Sequence, residues 1–309
     1  MPELMMEHFM ARETTLGSAK YSALHGSKTN TGVVLHLKKG TVLTAPIEIF
    51  HWLEGDSALY PHTLLIAGDN AQGTILEHQR SLTLGGAIIA VTDVHAHPGS
   101  KLTYAVAQQT SDQTSVIHLT SATVWKDATA TSLILNLGGR WVRNESISRM
   151  EGEGASSFMF ASNVPTGTME IDQRTFQHHA SPHATSDLLY KNVLKDKAKT
   201  VFAGLIFVDQ GSHFTDAYQT CRNLLLSDEA EAYAMPGLEI NADQVKCSHG
   251  ATSSQISEEE IFYLLARGIP AEEARRLIAL GFAGQVLERL RDGVLQEACQ
   301  ALLEKAMAR

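Results

Sequence analysis

Between Gly32 and Ser254 the chain is a succession of short β-type runs broken by Gly, Asp, Asn and Pro, and this punctuation constrains the fold more than any other feature. The runs include GVVLHL (32–37), APIEIF (45–50), HTLLIA (62–67), GAIIAV (86–91), KLTYAV (101–106), SVIHLT (115–120), TSLILNL (131–137) and KTVFAGLIFV (199–208). Several alternate apolar and polar residues, as half-buried strands do. Helical periodicity is nearly absent from the same stretch. Two all-β solutions fit: a sandwich or barrel, or a parallel β-solenoid whose rungs stack at the ~4.8 Å strand spacing. No clean sequence repeat separates the two.

The pattern changes at Ser257. Ser257 and Glu260 have the spacing of a capping box, in which each side chain satisfies a free backbone N–H at a helix start. EEEIFYLLAR then places Ile261, Leu264 and Leu265 on one stripe, and Gly268 stops the helix. Pro270 opens a second helix through Ala274, Leu277, Ile278 and Gly281. A third continuous helix is expected over Val286, Leu287, Leu290, Val294, Leu295, Ala298 and Leu302. The reading is a short N-terminal segment (1–31), a β core (32–254) and a helical segment (255–309). The last is too short to form a core alone, so it must pack on the body or on a partner.

Composition removes several classes of function. A net charge of −9 leaves no electrostatic case for nucleic acid or anionic lipid. Three cysteines (Cys221, Cys247 and Cys299) are too few and too scattered for a disulfide framework, and the odd count fits a reducing compartment. The N-terminus lacks a basic start followed by an apolar run, and no stretch reaches the about eighteen apolar residues of a membrane span. A cytoplasmic protein is expected. No phosphate-binding G-x-x-x-x-G-K-[ST], no G-x-S-x-G elbow and no H-E-x-x-H is present; HGSKTN (25–30) is only a fragment of the first. The expectation is therefore a protein without catalysis or bound nucleotide of its own.

Three histidine and cysteine groups remain. His95 and His97 share a strand face, as a cupin-type metal site requires, but the glutamate such a site wants is replaced by PGSKLT. His178, His179 and His183 surround Pro182, which disrupts the helix that would bring His179 and His183 together. Cys247 and His249 share a face if VKCSHGAT is a strand. A thiolate and an imidazole suit soft metals and iron–sulfur species, but two ligands do not complete a site. Donors from elsewhere, in this chain or another subunit, would have to complete it.

KCSHGAT followed by EEEIFYLLARGI closely resembles the signature of the SufB/SufD family of iron–sulfur cluster assembly scaffolds. LYKNVLKDKAKTVFAGLIFV (189–208), TDAYQTCRNLLLSDEAEAYAMPGLEINADQVKCSHGAT (215–252), GGRWVRNE…MEGEGA (138–155) and GVVLHLKKGTVLTAPIEIF read like further family stretches. The resemblance spans roughly residues 30–290. Lys246-Cys247-Ser248-His249 resembles the SufD form, and no cysteine precedes Cys221, whereas SufB chains carry additional core cysteines.

The resemblance implies a right-handed parallel β-helix followed by a C-terminal helical segment that docks a SufC-like ABC ATPase. It implies pairing with a SufB-like subunit, with a transient iron–sulfur cluster at the joint. His249 is the leading cluster or metal ligand and Cys247 the second, both completed by the partner; a homodimer of this chain is the variant reading. A metal-dependent cupin-type enzyme using His95 and His97 is the alternative from another class. Two departures stand out: family members usually carry a substantial helical region before the β-helix, here reduced to 1–31, and SSQIS replaces the usual threonine-valine-glycine after the signature.

Overall fold

The computed structural model describes residues 2–82 and 85–308; Met1 and Arg309, the outermost residues of the terminal segments, lie outside the described residues with Thr83 and Leu84. Strands alternate between two parallel sheets. The first contains β1 (Thr31–Leu37), β3 (Ala58–Leu59), β4 (Pro61–Ala67), β6 (Ala87–Ala96), β8 (Ser115–Val124), β10 (Trp141–Met150), β12 (Glu170–His179), β14 (Lys199–Val208) and β16 (Glu231–Ile240). The second contains β2 (Ile47–Leu53), β5 (Gln72–Ser81), β7 (Lys101–Gln109), β9 (Thr129–Asn136), β11 (Ser156–Asn163), β13 (Thr185–Leu194), β15 (Asp216–Leu225) and β17 (Lys246–Gln255). The result is a parallel β-solenoid of about eight coils. Of the two all-β solutions left open by the sequence, this is the stacked one.

Register explains how the coils stay aligned. β10 lies on β12 from Trp141 on Glu170 to Met150 on His179 without a slip, and β12 lies on β14 in the same way. Each coil turns one corner through a residue in the left-handed region: Gly40, Asn70, Gly99, Asp127, Gly154, His183, Phe214 and Gln244. Glycine, asparagine and aspartate adopt that conformation most readily, which accounts for much of the punctuation seen in the sequence. The corners also interlock. A Cβ on Gly99 would fall 2.3 Å from the Asn70 carboxamide oxygen, and one on Gly154 2.5 Å from the Asp127 carboxylate. Further along, the His183 ring stacks on Phe214 with centroids 4.8 Å apart.

The interior mixes apolar and polar rows. One row runs His51, Gln79, Gln108, Asn136, Asn163, Asn192, Asn223 and Ser253. Its asparagines form a hydrogen-bonded ladder: Asn136 donates to Asn163, Asn163 to Asn192 and Asn192 to Asn223, each at 2.7 Å, and Asn223 to Ser253 at 3.1 Å. All the donors point toward the C-terminal end. A buried carboxamide is costly only when unpaired, and stacking supplies the pair.

Both outer faces carry packing. α1 (Pro2–His8) and α2 (Ala19–Lys28) belong to an N-terminal segment laid on the first sheet, where Met10, Tyr21 and Leu24 pack on Ile89, Val91, Ile117 and Leu119. Over the second sheet lie α4 (Ala271–Gly284) and α5 (Gly293–Met307), which bury Ala279, Ala283, Leu295, Cys299 and Leu303 against Leu133, Leu135, Phe160 and Leu189. Full burial of a leucine contributes roughly 2 kcal/mol, so this contact holds the helices firmly to the body. α3 (Glu258–Leu265) starts with the expected Ser257–Glu260 capping box.

The expected third helix is broken. Leu287–Arg289 form a single 3-10 turn, Leu290 is extended, and α5 begins only where the Asp292 carboxylate accepts from the Leu295 N–H at 3.1 Å. A strong N-cap inside an amphipathic run restarts the helix and re-aims its apolar face. Val294, assigned to the buried stripe by sequence spacing, is consequently exposed.

The ladder yields a stability test. Asn192→Ala removes one acceptor and one donor and strands the carboxamides of Asn163 and Asn223. Urea unfolding is expected to show a loss of about 2–4 kcal/mol, whereas a loss below about 0.5 kcal/mol would show that the ladder is only decorative.

Candidate functional site

At the C-terminal end of the solenoid the stacking stops. Among the described residues β16 pairs only with β14 and β17 only with β15, so each of these last strands has one edge with no hydrogen-bonded strand from the described residues on it. Such an edge is a template for another strand and is normally blunted or covered. Here it carries large apolar side chains: Tyr233 and Met235 on β16 are 55% and 58% exposed.

Cys247 and His249 lie on β17, opposite Ala217 and Gln219 of β15. Cys247 is half-buried and packs with Ile206, Val208 and Ala217 inside the last coil. Two residues on, His249 shares its inward face but is exposed, because among the described residues no strand stacks beyond β17. The shared face expected from the sequence is therefore present, at the rim of an open end.

The two groups differ chemically. Burial, and then the Asp216 carboxylate, push the Cys247 thiol up, so binding a metal there must first displace a proton against that bias. Among the described residues no group of three or more His, Cys, Asp and Glu side chains is placed to hold a metal ion. A cluster or metal at this end would need donors from outside the chain. The remaining cysteines are more deeply sunk: burial pushes Cys221 and Cys299 up to about 12.

Elsewhere the histidines separate. β6 ends at Ala96, so His97 sits beyond the strand that holds His95. His95 is buried and its Nε2 lies 3.2 Å from the His8 carbonyl oxygen, while His97 meets the Trp125 ring edge-on at 5.9 Å. Burial and the neighbouring His8 lower His95 to about 4. The cupin-type alternative fails on architecture too, because the sheets are parallel coils, whereas a cupin is a jelly roll. His178 and His179 point to opposite sides of β12. His178 meets Asp209 at 2.8 Å, and His179 is buried with its Nε2 2.9 Å from the Ser186 hydroxyl. His183 occupies a corner.

One buried cluster has no counterpart in the sequence reading. His25 on α2 and His62 on β4 approach through ring nitrogens at 3.1 Å, and the other nitrogen of His62 lies 3.2 Å from Asp93. Asp93 also accepts from the Met10 N–H at 2.6 Å, and Glu145 accepts from the Ser18 hydroxyl at 2.6 Å and from the Leu16 N–H. Burial lowers His25 to about 4. These groups fasten the N-terminal segment to the first sheet. Only coil stacking brings them together, so no local motif announces them.

Residues 51–282 match the SUF system FeS cluster assembly SufBD core domain. The iron–sulfur cluster assembly protein SufD of Escherichia coli is 32% identical over 89% of this chain. SufD of Bacillus subtilis is 26% identical over 93%, and a SufBD family protein of Synechocystis 28% identical over 90%. The chain belongs to the SufBD family. It spans 67%, 67% and 64% of the lengths of these three relatives, about two thirds in each case. The resemblance seen in the sequence is borne out at the level of family and fold.

The three thiols of this SufBD chain provide a check on the geometry. Iodoacetamide applied to the native protein near pH 8 should alkylate Cys247 slowly and leave Cys221 and Cys299 untouched, while all three react in denaturant. Peptide mass spectrometry reads the sites, and native labelling of Cys221 would show that the interior is open.

Proposed function

We propose that this chain is a SufD-like scaffold subunit that works in the cytoplasm with a SufB-like subunit and a SufC-like ABC ATPase, and is not itself a catalyst. The observation that carries the reading is the open end: two unpaired strand edges, with Cys247 and His249 facing into the last coil between them. A partner strand laid on β16 or β17 closes the end and brings its own donors to His249. A cluster assembled there is cargo. Imidazole binds iron–sulfur species more weakly than thiolate does, and a neutral imidazole needs no deprotonation, which favours His249 over the Cys247 thiol as a releasable ligand.

α3 supports the ATPase half of the proposal. α4 and α5 are spent on the body, but α3 turns Phe262 and Tyr263 outward, 70% and 56% exposed. An aromatic pair left in water on a capped helix suits a docking anchor. The nucleotide chemistry absent from this chain would then reach the scaffold through α3.

Two variants test the two halves. His249→Ala is expected to change the thermal midpoint by less than about 2 °C, because an exposed side chain carries little stability, yet to abolish cluster formation in the complex purified anaerobically. Normal cluster yield in that variant would remove His249 from the site, and a self-paired species in the wild-type preparation would favour the homodimer over the SufB pairing. Phe262→Asp should leave the fold intact and weaken ATPase capture at least tenfold. Unchanged capture would place the dock elsewhere.

A further inference from the structure

Phe9, Met10 and His25 of the N-terminal segment converge on His62 of β4 and Asp93 of β6. The Phe9 ring lies over the His62 ring with centroids 4.1 Å apart, and the Met10 N–H donates to Asp93 at 2.6 Å. His25 Nε2 lies 3.1 Å from His62 Nδ1. His25, His62 and Asp93 are 0%, 4% and 2% exposed, so their donors and acceptors must match one another.

That matching fixes where the protons sit. His25 Nδ1 lies 2.9 Å from the Ile89 carbonyl oxygen, which can only accept, so Nδ1 carries a proton. Burial lowers His25 to about 4, which leaves the ring neutral near pH 7 and its Nε2 bare. The contact with His62 then requires a proton on His62 Nδ1. The remaining nitrogen of His62 faces Asp93 Oδ2 at 3.2 Å. Unprotonated, it would turn a lone pair toward a carboxylate; protonated, it turns a positive ring toward one. Only the second arrangement is attractive.

We propose that His62 is held as an imidazolium between neutral His25 and the Asp93 carboxylate, and that this one buried proton latches the N-terminal segment to the solenoid. The latch opens in two directions. When His62 gives up its proton at alkaline pH, the Asp93 contact becomes repulsive. At acid pH His25 gains a second proton, loses its role as acceptor and sets two positive rings against each other. Because His25 falls from 6.5 to about 4, its contribution is complete above pH 6.5 and is lost as pH drops toward 4. The other titratable group facing His25 is His118 of β8, which burial also biases toward the neutral form. His95 adds to the acid side: its Nε2–H donates to the His8 carbonyl oxygen, and burial and His8 lower it to about 4. Opening uncovers Ile89, Val91, Ile117 and Leu119, now under Met10, Tyr21 and Leu24. The device is independent of the role proposed for the open end.

The full-length chain, labelled with ¹⁵N in its histidines, tests it. Near pH 7 both ring nitrogens of His62 should carry protons, and His25 should carry one on Nδ1 alone. Amide exchange over residues 3–28, corrected for intrinsic rates, should be slowest near pH 7. It should quicken about tenfold or more at both pH 5 and pH 9, with the β10–β13 amides still protected. Asp93→Asn keeps the shape and removes the charge, so His62 should hold a single ring proton and residues 3–28 should exchange freely at pH 7. A wild-type His62 with one ring proton near pH 7 would overturn the proposal, and so would exchange that is flat from pH 5 to pH 9. Both readings come from the wild type, so they decide the matter even if the asparagine variant does not fold.

Discussion

Parallel stacking without slippage means that every inward side chain meets the side chain at the same position one coil away, and the rest of the structure follows from that. A polar residue in such an interior cannot be tolerated singly; it must recur. Asn136, Asn163, Asn192 and Asn223 recur and bond to each other. Thr63, Thr92, Thr120, Ser146 and Thr175 form a second row on the facing sheet, continued by Gly204. The corners obey the same rule in backbone form, with one left-handed residue per coil and alternate side chains filling the space a neighbouring glycine leaves.

The rule also decides what the ends and faces must do. A solenoid has two outer faces that it cannot bury against itself. The N-terminal segment covers one through Asp93 and Glu145, buried carboxylates that accept its backbone N–H groups. α4 and α5 cover the other with leucines, and Lys191 of β13, buried beneath them, points its ammonium at the Phe282 ring at 4.0 Å. At the C-terminal end the rows simply terminate, and the residues that terminate them, His249 and Ser253 among them, inherit half a neighbourhood.

How much of this the sequence discloses depends on the range of the interaction. Strands were legible because alternation is local, and the corners at Gly40, Asn70, Gly99 and Asp127 because those residue types favour the conformation. Phe214 and Gln244 occupy the same corner with no such signature. The choice of solenoid over sandwich was illegible for a physical reason: the ladder bonds span 27, 29, 31 and 30 residues, and a period that drifts by that much leaves no repeat to detect. The Cys247–His249 face could be read from spacing alone, while the His25–His62–Asp93 contact could not, since its members meet only after the chain has coiled. The third helix failed at Asp292, where a cap outweighed an uninterrupted apolar stripe.

The open end is incomplete by composition as well as by shape. Its imidazole is exposed and its thiol is biased toward the protonated form, so neither holds a soft metal tightly alone. Additional thiolates from this chain would make a closed, high-affinity site, and such a site retains what it binds. A scaffold needs the reverse: a site that exists only while two subunits are joined and dissolves when they part. In the proposed reading that dependence comes from topology. The residue proposed to carry the ligand is the last in its row, and in that reading the next coil belongs to another chain. Under that proposal loading and release would be governed by whatever opens that joint, and the exposed aromatic pair on α3 would give an ATPase a handle on the scaffold from outside the solenoid.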